Sequence, residues 1–443
     1  MRIGFEPQRR DVLGGLGALA AAGAARAAPA GRPPNIIVVL ADDLGYGDLG
    51  IQGSRLIATP NLDRLARQGV RMTDFYASAN ICTPSRAGLL TGRYPIRTGL
   101  GHQVIQPPDT NGLPLSEITI AEALKPDYAT ALVGKWHLGH VAPFWPPTVQ
   151  GFDLFFGLPY SHDMKPLGLY AAGPGVELTR EDVDFPKLTE RFFDRGRRFI
   201  EDNRQKPFFL LMALTAPHLA LFPHPDHAGH SKAAAYGDVV EEVDIQVGRM
   251  MEHLKALSLD RDTLVIVTSD NGPWFEGSSG PLRDRKGGSG WDGGYRVPFI
   301  ARGPGLPAGK VSREIAMNID ILPTILAMTG RPLPQTEIDG RDLTGVLTRG
   351  AKSPHEELVL FNNELVAAIR TDRWKYVGRS YYRGAEYPLT AVRGAGLFDV
   401  RADPSEAYNL SSLHPDVVKD MEARFAAAKT TFEPLGRRNR PAA

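Results

Sequence analysis

One cysteine occurs in the 443 residues, Cys82, in the stretch ICTPSRAGLLTGRYP (81–95), four residues before Arg86. A lone cysteine cannot close an internal disulfide. It is a small buried hydrophobe, a partner for another chain, or a reactive group. Its neighbours bear on the choice. Pro84 suits the first turn of a helix, SRAGLLT continues as helix, and Gly92 ends it. Cys82 therefore falls at a helix start, where unpaired backbone N–H groups and the dipole favour an anion. Arg86 lies one turn on and can point back to the same place. A helix start with a guanidinium is a cradle for a tetrahedral oxyanion.

Two apolar runs end in acids. NIIVVLADD (35–43) closes on Asp42 and Asp43, and TLVIVTSDNG (263–272) repeats the design with Asp270 and Asn271. Each reads as a buried parallel strand, and in open α/β sheets ligands bind beyond the carboxyl ends of such strands. Four oxygen donors with that much negative charge suit a hard cation, Ca²⁺ or Mg²⁺. Taken singly, an acid after a strand is as readily a turn or a helix cap. Two similar ends beside the cysteine stretch point to a metal site.

Groups that exchange protons follow the same placement. GKWHLGH (134–140) comes directly after the apolar ATALV and offers Lys135, His137 and His140, and FFLLMALTAPH (208–218) is a strand ending at His218. A single histidine is often structural, but two of them with a lysine at strand ends are candidates for acid–base work.

The elements that must position these groups alternate between strand and helix over 34–340. That predicts an α/β protein: a large mixed, mainly parallel sheet sandwiched by helices. The segment 341–354 reads as a linker. Beyond it, 366–378 and 396–402 are strand-like and 415–432 has helical amphipathic spacing, predicting a C-terminal subdomain at 355–435 with a small antiparallel sheet and a packed helix. Formal net charge is +1, so no global field favours nucleic acid or an anionic membrane. At the N-terminus, Arg9 and Arg10 precede the weakly apolar VLGGLGALAAAGAARAAPA, the pattern of a twin-arginine export signal over 1–30. That run is too short and weak for a membrane span. A periplasmic or secreted location through the twin-arginine translocase is the expectation.

The stretch CTPSRAGLLTGR resembles the C-x-P-x-R signature of the formylglycine-dependent sulfatases, of the arylsulfatase type within the alkaline-phosphatase-like superfamily. LADDLGYGDLG, TPNLDRLARQGVRMTDFYA, GKWHLG, GLPYSHD (157–163), APH, SDNG, DGRDLTGVL and LFDVRADPSEAYNL follow in the family's order. The resemblance implies sulfate ester hydrolysis of a sulfated small molecule or carbohydrate. It implies that a formylglycine-generating enzyme oxidises Cys82 to formylglycine. Asp42, Asp43, Asp270 and Asn271 would hold the cation, usually calcium, with the modified Cys82. Arg86 and Lys135 would stabilise the formylglycine, and His137 would bond its diol and help expel sulfate. Ser161 would contact substrate, and His218 and Lys286 would bind sulfate and assist the leaving oxygen.

The chemistry accounts for such a set. A sulfate ester resists attack because its oxygens repel nucleophiles, and cationic donors withdraw that charge. A thiol is the wrong nucleophile, because its sulfo adduct has no easy internal exit. A hydrated aldehyde has two hydroxyls: one attacks sulfur, giving a covalent sulfo-enzyme, and the other re-forms the aldehyde and ejects sulfate. A phosphonate or phosphate ester hydrolase on the same scaffold is the alternative, and a non-catalytic metal-binding protein with unmodified Cys82 another. The chain departs from the family in two places. His218 is followed by LALFP rather than x-P, and RKGGSGWDGG (285–294) has Asp292 where glutamate is usual, so Arg285 stands beside Lys286 as an alternative. Trp145, His162, Lys165 and Trp274 are candidates for the pocket rim or for simple packing.

Overall fold

Five parallel strands form the middle of the large sheet: β1 (Asn35–Ala41), β2 (Ala129–Lys135), β3 (Leu154–Leu158), β4 (Phe208–Ala213) and β5 (Thr263–Ser269). In this computed structural model, which describes residues 32–382, 385–388 and 396–438, their order is β5-β1-β4-β2-β3. The hairpin Leu169–Gly173 and Val176–Glu181 extends the β3 edge antiparallel. Phe299–Arg302, Val70–Met72 and Lys310–Ser312 extend the other edge, making ten strands. The export signal expected at 1–30 lies outside the described residues.

The unbroken apolar run of β1 serves two faces, because successive side chains of a strand point to opposite sides. Ile36, Val38 and Leu40 join one buried cluster with Ala87, Leu89 and Leu90 of helix α1 (Cys82–Thr91). Ile37, Val39 and Ala41 join the other. There they meet Phe192, Phe193 and Ile200 of α2 (Leu188–Asn203) and Val240, Val243 and Val247 of α3 (Ala234–Ala256). Each fully buried Val, Leu, Ile or Phe among them contributes roughly 1.5–3 kcal/mol. The sheet is thus covered on both sides, as the alternating pattern predicts.

Register brings the strand ends level. Ala41 pairs with Ser269, and Leu40 and Gly134 both pair with Ala213. The residues that follow, Asp42, Asp270 and Lys135, therefore emerge at one edge. Gly134 has φ +121, and a Cβ there would collide with the Ala213 carbonyl oxygen, so only glycine allows β2 and β4 to run together at this point.

The C-terminal sheet has four antiparallel strands, Leu358–Asn362, Leu365–Arg370, Trp374–Val377 and Gly396–Asp399. Helix α4 (Pro415–Arg438) lays Met421, Phe425, Ala428 and Phe432 against it, a three-and-four spacing that makes one apolar stripe. The stretch 366–378 is a hairpin, turning where Thr371 N–H bonds the Trp374 carbonyl. The expected linker 341–354 instead carries a helix, Thr344–Arg349. Its Val346 and Leu347 are buried beside Leu343 on the first face of the large sheet. The apolar pair at 346–347, between polar neighbours, is too short for periodicity to reveal, and packing decided it. Among the described residues, no helix is long and apolar enough to cross a membrane.

Candidate active site

Helix α1 begins at Cys82 and ends at Gly92 in the left-handed conformation, φ +69. Cys82 Sγ lies 3.4 Å from Asp42 Oδ1 and 3.5 Å from Lys286 Nζ, and is buried. Arg86, one turn along, points back as the spacing predicts. Its Nε donates to Asp270 Oδ2 at 2.9 Å, its Nη1 donates to the Lys135 carbonyl at 3.0 Å, and its Nη2 lies 3.5 Å from Asp42 Oδ1. Lys135 Nζ sits 2.6 Å from Asp42 Oδ2, both side chains wholly buried. Asp43 takes a positive φ of 66, which Asp tolerates better than most residues. In that conformation its carboxylate accepts from Asn271 Nδ2 at 2.7 Å and from Lys286 Nζ at 2.7 Å.

Ligand atoms of Asp42, Asp43, Cys82 and Asp270 all lie within 4.8 Å of one another. Asn271 Oδ1 is buried there without a hydrogen bond. Three converging carboxylates, with an orphaned buried amide oxygen on the adjoining Asn271, fit a hard divalent cation. The charges agree. Burial raises Asp42, but Lys135, Arg86, His218 and Lys286 together hold it well below the usual carboxylate range. Asp270 ends at about 7, because burial and the neighbouring Asp42 charge exceed what Arg86 and Lys135 return. A carboxylate left that short of positive charge has room for a cation. Cys82 is a poor thiolate here: burial and the Asp42 charge raise its pKa more than Lys135 and Lys286 lower it.

His137, also at positive φ (61), places Nε2 3.0 Å from the Ile105 carbonyl, while its Nδ1 is buried with no partner. Burial, then Lys135 and Arg86, keeps the ring neutral. A neutral ring facing a carbonyl carries its proton on Nε2, so Nδ1 offers a lone pair. His218 Nε2 is 3.7 Å from Asp43 Oδ2, and Ser161 Oγ is 3.5 Å from His218 Nδ1. Of the two adjacent basic residues, Lys286 points in. Arg285 turns out and lies over the Phe275 ring at 4.7 Å.

Of the remaining candidates, His162 and Trp274 lie beside the site and the others pack elsewhere. His140 bonds the Pro107 carbonyl and packs on Tyr160. Trp145 packs edge-on against Phe155 and Tyr170, and Lys165 lies over Phe185. His162 is buried against His218 and Phe222 and bonds the Ala220 carbonyl, with burial lowering its pKa to about 4. Trp274 is 41% exposed beside the Lys286 loop.

Supporting residues went unnoticed in the sequence. Thr83 Oγ1 donates to the His137 carbonyl and accepts from Ile105 N–H, tying the helix start to the His137 loop. Asp48 accepts from Tyr236 OH at 2.6 Å and from the Gly45 and Ser278 N–H groups, bracing the loop after Asp43. Only GYGDLG itself hinted at a built turn, and the partners lie up to 230 residues away.

The family profile described as Sulfatase matches residues 34–331. Arylsulfatase A of Bos taurus is 38% identical, the match covering 90% of each chain. Steryl-sulfatase of Mus musculus is 34% identical over 94% of this chain and 85% of its own. Among solved structures, the PsFucS1 sulfatase from Pseudoalteromonas sp. superposes with TM-score 0.81 at 30% identity, covering 90% of this chain and 91% of that one.

Proposed function

Since this chain belongs to the sulfatase family and is a sulfuric ester hydrolase, we propose that it acts through formylglycine made from Cys82, beside a calcium ion held by Asp42, Asp43, Asp270 and Asn271. The observation that carries this is the meeting of a buried, high-pKa thiol with three carboxylates and the orphaned Asn271 Oδ1. A thiol so raised is a poor nucleophile and a well-placed precursor. Formylglycine at position 82 would, once hydrated, supply a nucleophilic hydroxyl and a second hydroxyl for sulfate release. The cation supplies charge withdrawal from the ester oxygens.

The chain's own groups do the rest. Arg86, Lys135 and Lys286 bring three basic side chains to one pocket, beside the three carboxylates. A bound divalent cation leaves a net positive site for an anionic ester. His137 Nδ1, with its lone pair free, would accept a proton from a group at position 82. His218 gives a proton to the leaving oxygen and Lys286 binds sulfate, with Ser161 contacting the substrate beside His218. Sulfated small molecules or carbohydrates are the substrate class, in keeping with the arylsulfatase and steryl-sulfatase relatives.

The 1–30 leader directs the chain through the twin-arginine translocase to the periplasm or outside the cell, after a formylglycine-generating enzyme has acted on it. The catalytic domain spans 34–340 and the C-terminal subdomain 355–435. Mass spectrometry of the tryptic peptide bearing Cys82 tests the central step. A peptide about 18 Da lighter than the thiol form, the change from thiol to aldehyde, supports it. Unmodified thiol throughout, in a host that has the maturation enzyme, refutes it.

A further inference from the structure

Lys286 rides on a loop with few elements of its own to hold it. Core residues fasten its near side: Lys286 N–H bonds the Pro273 carbonyl, Gly287 N–H bonds the Asn80 carbonyl, and Asn80 Nδ2 donates to the Gly288 carbonyl. The C-terminal region fastens the far side. Trp291 Nε1 donates to Ser380 Oγ at 2.6 Å, and Arg283 stacks 3.6 Å over the Trp291 ring while donating to the Glu406 carbonyl at 2.9 Å. Asp292 N–H donates to Glu406 Oε2 at 2.8 Å. Lys375 Nζ, on the third strand of the C-terminal sheet, lies 2.6 Å from Asp292 Oδ1 and 2.7 Å from Glu406 Oε1. All three of these side chains are wholly buried.

Such a triad is an expensive way to gain stability. Removing three charges from water costs several kcal/mol per ion, and apolar replacements of the same volume are often as stable. What it does supply is directional constraint on the Asp292 end of a short glycine-rich loop. The group delivered at the loop's other end is an ammonium 3.5 Å from Cys82 Sγ, where a misplacement of about 1 Å can cost 100-fold in rate.

We propose that Glu406, together with Lys375, is a positioning residue for Lys286, so that the C-terminal subdomain sets the sulfate affinity of a pocket built on the large sheet. This rests on the reading that Lys286 binds sulfate. The full-length protein with Lys286→Ala, Glu406→Ala and both together tests it, with inorganic sulfate binding by calorimetry and kcat/KM on an aryl sulfate as readouts. Lys286→Ala is expected to lower kcat/KM by about 100-fold, as for loss of one charge-stabilising donor. Glu406→Ala should weaken sulfate binding and kcat/KM about 10-fold, by displacing the ammonium without removing it. The double variant should be no worse than Lys286→Ala alone, since Glu406 then has nothing left to position. Losses that multiply, or sulfate affinity unchanged in Glu406→Ala, overturn the positioning role and leave the Lys286 reading standing. A silent Lys286→Ala overturns both. If Glu406→Ala does not fold, Ser380→Ala, which removes the side-chain bond to Trp291 Nε1 and leaves the ring under Arg283 in place, runs through the same cycle with the same criteria and an expected loss of about threefold.

Discussion

Replacing Lys135 with methionine removes one charge from a fully buried pair and keeps the length of the side chain. The Lys135 ammonium stands 2.6 Å from Asp42 Oδ2, a gross attraction of about 6 kcal/mol at an effective dielectric of 20. Part of that is returned, because the lysine no longer has to be desolvated. Arg86, 3.5 Å from the other Asp42 oxygen, remains. Breaking a buried pair on one side costs about 3–5 kcal/mol, most of it the stranded charge. With unfolding entropy of about 2 cal/mol/K per residue over roughly 400 residues, that lowers Tm by about 4–6 °C. The measurement is thermal unfolding in a chelator, so that no cation shields Asp42. The informative comparison is the double variant Asp42→Asn with Lys135→Met, which leaves no stranded charge and should regain most of the lost stability. Hydrolysis of an aryl sulfate, assayed with calcium, should fall by about 100- to 1,000-fold in Lys135→Met and should not return in the double variant. A Lys135→Met protein that melts within about 1 °C of the parent would refute the stranded-charge reasoning. So would a double variant no more stable than the single one.

Two other outcomes follow from the same geometry. Calcium at about 100 times its dissociation constant should add about 2.7 kcal/mol to the chelated protein, and Asn271→Ala should shrink that gain. Absence of any Tm shift with calcium or magnesium would sink the cation site. Acid stability should depend on Asp292. Burial works against its charge, but Lys375, Arg296 and Arg370 win and hold its pKa at about 2. A depressed carboxylate contributes stability that is complete above its unfolded value and lost as pH falls from about 4 to 2, here on the order of 2 kcal/mol. Asp292→Asn should therefore destabilise the protein at pH 6, with the deficit narrowing by about half of that amount at pH 3 and by most of it only below about pH 2 in denaturant titrations. A deficit equal at both pH values counts against the ion pair.

Much of this protein was determined locally. Apolar runs such as 35–41 and 263–269 read as buried strands and are strands, with their acids at the sheet edge where the runs stop. Pro84 in the first turn and Gly92 at the end mark a helix whose first residue is Cys82. Tertiary structure decided what those signals leave open. Lys286 and Arg285 are adjacent and equally basic. Only hydrogen bonds to Pro273 and Asn80, and the clamp through Asp292 and Trp291, turn one inward and the other out. His137 is told from His140 by which carbonyl each ring meets, Ile105 or Pro107. Helix 344–349 forms because Val346 and Leu347 find the sheet's first face. In each case the deciding partner is distant in the chain, and a loop carries no periodicity from which its partner could be read.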